Sequence, residues 1–303
     1  MKQRREFIKS GVVLGASALS FGIISCKNEA SKASETTENA SQKMTMQGDI
    51  KSFGVQLYTL RDVIEADPMA TITQLAGMGY SDIESYDGAQ GFLWNHSPKE
   101  FKSILNDLDL KMVSSHINVN ENLEEKIDLA AEVGMDYVIC PYIGPQVSKD
   151  AWKEVCDRFN TYGEMCKKAG VTFAYHNHAY SFKPFSGMIP HDFLMENTDP
   201  DLVKHEMDIY WVVTGGADPV EYLEKYPNRF KLVHVKDRMK NAGDEQLASC
   251  DLGTGMIDFP KILKAAKAQG VDHFIVEQER YDNSTPMKSV EVDANYMKEF
   301  KFA

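Results

Sequence analysis

The chain has 303 residues, 43% of them hydrophobic and 26% charged, with a formal net charge of −12. Such a composition supports one large buried core and argues against disorder throughout or a membrane bundle. An acidic chain with no basic block argues against nucleic acid as a partner.

Residues 1–26 read as a targeting segment. Arg4-Arg5 followed by Phe7-Ile8-Lys9 is a twin-arginine signature, and residues 11–24 form an apolar stretch too short to span a bilayer as a stable helix. Ile23-Ile24-Ser25-Cys26 has the form of a lipoprotein cleavage box, with Cys26 as the lipidated residue. The expectation is export by the twin-arginine route to the periplasm or envelope, with membrane contact only through a lipid anchor at Cys26. Residues 27–49 are rich in Ser, Thr, Glu, Asn, Lys and Gln and read as a flexible tether. The folded domain is expected over residues 50–303.

Within it one pattern recurs: a short apolar strand, a loop, an amphipathic helix, then the next strand. Strands are predicted at 53–58, 82–86, 112–116, 137–141, 171–175, 203–208, 231–235 and 274–277. Helices are predicted at 70–78, 98–108, 123–133, 152–169, 191–196, 219–226, 259–268 and 290–300. Gly79, Gly134, Gly170 and Gly270 follow helices, where a left-handed cap favours glycine. Eight strand–helix units in roughly 250 residues predict an α/β fold, the (β/α)8 TIM barrel, as a single domain. A doubly wound sheet would carry a Gly-rich dinucleotide loop after its first strand, and Gly54-Val55-Gln56-Leu57-Tyr58 has none. Cys140, Cys156, Cys166 and Cys250 form no Cys-x-x-Cys pair, so a zinc knuckle is not expected; disulfides are permitted but their pairing is not readable.

Barrel enzymes place their chemistry at the C-terminal ends of the strands. Here those ends read Gln56 and Tyr58, Glu84, His116, Tyr142, His176 with His178, Asp208, His234 with Lys236, and Glu277 with Glu279. Buried charges at Asp208, His234 and Glu277 need partners, and a shared cation is the simplest one. Tyr58, Glu84, His116 and Lys236 are candidate substrate-binding residues. Tyr58 offers an aromatic wall, and Lys236 a charged donor to a sugar oxygen.

At these positions the chain resembles the sugar phosphate isomerase/epimerase family of the xylose-isomerase-like TIM-barrel superfamily. The resemblance rests on Gly54-Val55-Gln56-Leu57-Tyr58-Thr59-Leu60-Arg61-Asp62, Tyr175-His176-Asn177-His178, Met207-Asp208, Val233-His234-Val235-Lys236-Asp237, residues 251–259 and Val276-Glu277. It implies one divalent metal held by a Glu, an Asp, a His and a second Glu. His176 stands in the first Glu position, and Asp208, His234 and Glu277 match the others. Trp211 replaces the His that the ketose 3-epimerase branch carries after the Asp. Both departures resemble the exported branch associated with oxidised sugars, including 3-keto-glycosides.

Two imidazoles and two carboxylates suit Mn²⁺, Co²⁺, Fe²⁺ or Zn²⁺, with Mg²⁺ admissible if waters complete its shell. The expected chemistry is proton abstraction beside a metal-polarised sugar carbonyl, with Glu277 or His178 as the proton-transfer residue. The main expectation is a sugar isomerase or epimerase. The alternatives are a lyase or hydratase acting on 3-keto-glycosides by β-elimination, and a non-catalytic lipid-anchored sugar-binding protein. The expected partner is a small-molecule sugar, and the oligomeric state is left open.

Overall fold

The computed structural model describes residues 48–303. The targeting segment and Cys26 lie outside the described residues, as does the tether as far as residue 47. Gly48 and Asp49 donate their backbone N–H groups to the Lys298 and Phe300 carbonyls, each at 2.7 Å.

In chain order the strands are β1 (Gly54–Gln56), β2 (Asp82–Tyr86), β3 (Lys111–His116), β4 (Tyr137–Cys140), β5 (Thr172–His176), β6 (Val203–Asp208), β7 (Phe230–Val235), β8 (Asp237–Arg238), β9 (Ser249–Cys250) and β10 (His273–Val276). All except β8 and β9 form a closed barrel in the order β1-β10-β7-β6-β5-β4-β3-β2. The ring closes where β10 pairs in parallel with both β7 and β1, with Gly54 opposite Ile275 and Val55 opposite Val276. This is the expected TIM barrel.

Alternation along the strands divides the interior into two environments. Val55, Ile83, Val138, Phe173, Met207, Val233 and Val276 are buried in the large apolar core. Their sequence neighbours face the barrel axis. Tyr137, Ile139, Ala174 and Leu232 form a separate small apolar cluster there. Further along the same strands, the inward positions turn polar: Gln56, Glu84, Ser114, His116, His176, Glu206, Asp208 and His234 are all buried.

The first strand is shorter than expected. The Gln56 side chain accepts the Tyr58 N–H at 2.9 Å and starts a 3-10 turn over Leu57–Leu60. The long helix is longer than expected, Lys149–Ala169. Ser148 caps its start by accepting the Ala151 N–H, and Gly170 closes it at φ 84°. The β8–β9 hairpin was not anticipated, because its strands are only two residues each. Cys140, Cys156, Cys166 and Cys250 are free thiols. No helix among the described residues is long and apolar enough to cross a membrane.

Candidate metal centre and substrate cleft

β6 delivers its last residue, Asp208, as both a strand end and a helix cap. Oδ1 accepts the Trp211 N–H at 2.8 Å, starting the short helix Ile209–Thr214. Such a cap contributes about 1 kcal/mol and fixes the carboxylate's direction. Asn177 reinforces it, exchanging side-chain hydrogen bonds with the Asp208 backbone at 3.1 and 3.2 Å. Oδ2 is left buried without a hydrogen-bond partner.

His176, at the end of β5, is oriented in the same way. Its Nδ1 donates to the Pro141 carbonyl at 3.3 Å, leaving Nε2 as the lone-pair atom. That Nε2 is also buried without a partner and lies 3.4 Å from Asp208 Oδ2. His234 Nδ1 approaches Asp208 Oδ2 at 3.6 Å and Glu277 Oε2 at 3.1 Å. One ligand atom each from His176, Asp208, His234 and Glu277 therefore lies within 4.8 Å of the others. Buried polar atoms without partners are costly. Two of them facing each other inside such a set fit a cation, so the donor chemistry passes the test of a metal site. These are the four residues expected from the sequence to share an ion.

Below them lies a ring that fixes His234 from behind. Its Nε2 lies 2.7 Å from Glu84 Oε1 and 3.3 Å from Glu206 Oε1. Glu84 is held in turn by Gln56 Nε2 at 2.8 Å and Ser114 Oγ at 2.6 Å, and Glu206 Oε2 meets His116 Nε2 at 2.8 Å. Carboxylates behind a ligating imidazole set its tautomer and raise its basicity. Glu206 was missed from the sequence. Its signal was the alternation of β6, which sets Glu206 on the same face as Asp208.

The electrostatics follow from this crowding. Burial pushes the His234 imidazole down, but Glu206, Glu277 and Glu84 outweigh it and raise its pKa well above the usual value. Burial pushes Asp208 and Glu277 up, yet Lys236 with the neighbouring histidines holds both well below the carboxylate range. Lys236 is itself buried, and Glu277, Asp208 and Glu279 hold it protonated. It donates to Glu277 Oε2 at 3.1 Å and to Glu279.

Above these four residues opens a cleft of 440 Å³, a size typical of small-molecule sites. Tyr58, Tyr86, Tyr142 and Trp211 line its sides, with His116, His176, His178 and Glu277 among the polar groups. The His178 ring lies 5.2 Å from Trp211 and 5.1 Å from Tyr142, and its Nδ1 is buried without a partner. Burial pushes its pKa down to about 3, so the ring is neutral at ordinary pH. Two expected substrate contacts sit elsewhere. Glu84 lies a layer too deep, with both oxygens engaged, and Lys236 is pinned between carboxylates; neither lines the cleft. Tyr58 and His116 do line it.

The motif at Asp237 and residues 251–259 proves to be a loop clasp. Asp237 Oδ2 accepts the N–H groups of Gly253 and Gly255 at 3.0 and 2.9 Å. A Cβ on Gly255 would come within 2.2 Å of Asp237 Oδ1, so only glycine fits.

A family model described as xylose isomerase-like TIM barrel matches residues 72–300. An inosose dehydratase from Geobacillus kaustophilus (strain HTA426) is 27% identical over 193 residues, covering 55% of this chain and 60% of that protein. An inosose dehydratase from Lacticaseibacillus casei is 29% identical over 151 residues, covering 46% of this chain and 50% of that protein. The chain thus spans between half and three fifths of these curated relatives. Among solved structures, a sugar phosphate isomerase/epimerase from Parabacteroides distasonis ATCC 8503 superposes with a TM-score of 0.71. It is 31% identical, and the match covers 86% of this chain and 97% of that one.

Proposed function

Since the chain belongs to the xylose isomerase-like TIM barrel family, we propose that its barrel mouth is the active site of a metal-dependent lyase. The reaction is removal of the proton beside the carbonyl of a polyhydroxylated ketone, followed by loss of the β-substituent as water or an alcohol. The reading is carried by the convergence of His176 Nε2, Asp208 Oδ2, His234 Nδ1 and Glu277 Oε2 beneath an aromatic cleft. The lyase outcome draws support from the two relatives, each named inosose dehydratase.

A divalent ion on these four residues would polarise the ketone and stabilise the negative charge that develops on its oxygen. Glu84 and Glu206 hold His234 with its Nδ1 toward the ligand set. Neutral His178, in the cleft wall, takes the proton from the carbon beside the carbonyl and returns it to the departing oxygen as the C–O bond breaks. That transfer balances: the C–H electron pair becomes the new C=C bond, and the C–O pair leaves with the oxygen. Protonated Lys236 keeps Glu277 ionised and oriented. Tyr58, Tyr86, Tyr142 and Trp211 stack on the substrate ring and exclude water.

The test is to follow the absorbance of an α,β-unsaturated ketone and solvent deuterium uptake with metal-loaded protein and polyol ketones. Enone formation is the expected result. Deuterium uptake without enone would instead favour the second reading, an isomerase or epimerase, for which the Parabacteroides relative speaks. His178→Gln should lower turnover by at least about 100-fold while leaving bound metal unchanged. Unchanged turnover would remove His178 from the mechanism. We also carry forward export as a lipoprotein anchored at Cys26. Cys26→Ala should move the protein from the membrane fraction to the soluble fraction, and an unaltered distribution would refute the anchor.

A further inference from the structure

Resting on the reading of the cleft as an active site, we infer that it selects uncharged polyol ketones and sugars and rejects phosphorylated ones. Among the described residues, the charged groups lining the cleft, histidines aside, are Asp87, Glu277 and Glu279, and the lining contains no Lys or Arg. Phosphate recognition relies on arginine forks, lysines or free N–H groups at a helix start. Lys126, Lys236, Arg61 and the start of the helix at Ile209 are each already engaged.

Lys126 is clamped to Asp87 and to the Asn118 carbonyl, at 2.5 and 3.1 Å. Lys236 lies beneath the floor, engaged by Glu277 and Glu279. Arg61 stacks on Tyr58 at 4.7 Å and donates to the Tyr58 and Glu279 carbonyls. The helix that starts at Ile209 has its first turn capped by the Asp208 carboxylate, which fills the place an anion would take.

The field has the same sign. Asp87, Glu84, Glu206, Asp208, Glu277 and Glu279 surround the mouth and floor, against Lys126, Lys236 and Arg61. A bound divalent ion leaves carboxylate charge in excess. A neutral ring loses nothing in this field, and it gains the faces of Tyr58, Tyr86, Tyr142 and Trp211 together with the exposed amides of Asn118 and Asn120. Arg158 lines a separate cleft that shares Val119, Asn120 and Tyr142 with this one, so it serves as the control.

The experiment is calorimetric titration of Mn²⁺-loaded protein with matched pairs: glucose and glucose 6-phosphate, fructose and fructose 6-phosphate, myo-inositol and myo-inositol 1-phosphate. The neutral member should bind about tenfold tighter or more in every pair that binds, because opposed like charges cost several kcal/mol. Asp87→Asn, which frees Lys126, should narrow that gap several-fold at low salt. Equal or tighter binding of the phosphorylated member overturns the inference, as does phosphate-dependent binding that Arg158→Ala abolishes. Failure of all neutral ligands to bind, or a gap that Asp87→Asn leaves unmoved, overturns it as well. The lyase reading is judged separately by enone formation, so either idea can fail alone.

Discussion

Adjacent residues of β6 open onto two very different groups of buried histidines. Glu206 points into the barrel, toward His116 and His234. His205 points outward, toward His191, Phe230 and Arg229. Inside, carboxylates bracket both nitrogens of His234 and raise its pKa well above the usual value. Outside, among the described residues, no carboxylate bonds either ring. His191 stacks on Phe182 at 4.7 Å and on Phe230 at 5.9 Å, and burial pushes its pKa down to about 3. Burial and Arg229 likewise push His205 well below its usual value. Buried histidine is therefore no sign of chemistry in itself. Unpaired ring nitrogens occur in both groups, at His191 and His205 as at His176, so it is the surrounding acids that separate a cation grip from a packed ring.

The contrast is most open to attack at the ligands. Asp208→Asn/Glu277→Gln should abolish metal retention, weakening affinity well beyond the roughly 100-fold typical of outer-shell changes. Elemental analysis of protein purified without added metal would show it, and equal metal content would break the comparison. Glu84→Gln should have the next largest effect, about 10- to 100-fold in metal affinity, because His234 loses its charged backing. Metal titration against a competing chelator measures this.

On the outer face, Arg229→Met should leave metal content untouched while destabilising the fold by about 1–3 kcal/mol. It strips donors from the Met195 carbonyl and Thr198 Oγ1. Urea denaturation separates the two readouts. The remaining effect is in pH dependence. His191 has a folded pKa of about 3 against an ordinary 6.5, so the unfolded chain binds more protons between them. Its contribution is complete above pH 6.5 and is lost as pH falls toward 3, at about 1.4 kcal/mol per pH unit. His191→Phe should flatten the stability–pH curve by that slope between pH 4 and 5.5, and an unaltered slope would refute the account.

The barrel was legible because its signal repeats: eight short apolar runs, separated by helical patterns and glycine caps, leave few other architectures. The four candidate ligands were legible because each sits at or beside a strand end, a position that alternation and length define. Depth along the barrel axis was harder to read. Glu84 and Glu277 both read as strand ends, yet Glu84 lies in the middle of β2, under the site, whereas Glu277 lies just beyond β10, within it. Glu206 was hidden by its neighbour His205, since Lys204-His205-Glu206 reads locally as an exposed charged run. The hairpin at Asp237 depends on a contact across many residues with Gly253 and Gly255, which no short window contains.

The four ligands come from β5, β6, β7 and the residue after β10, which are consecutive around the ring although β10 is last in the chain. Glu277 reaches its companions only after β10 has docked between β7 and β1. A chain emerging during synthesis therefore holds three of the donors before the fourth, Glu277, has been made. Tight uptake of the ion would then act as a timestamp for completion, and a chain cut short before residue 277 would hold metal poorly however much of its barrel had assembled.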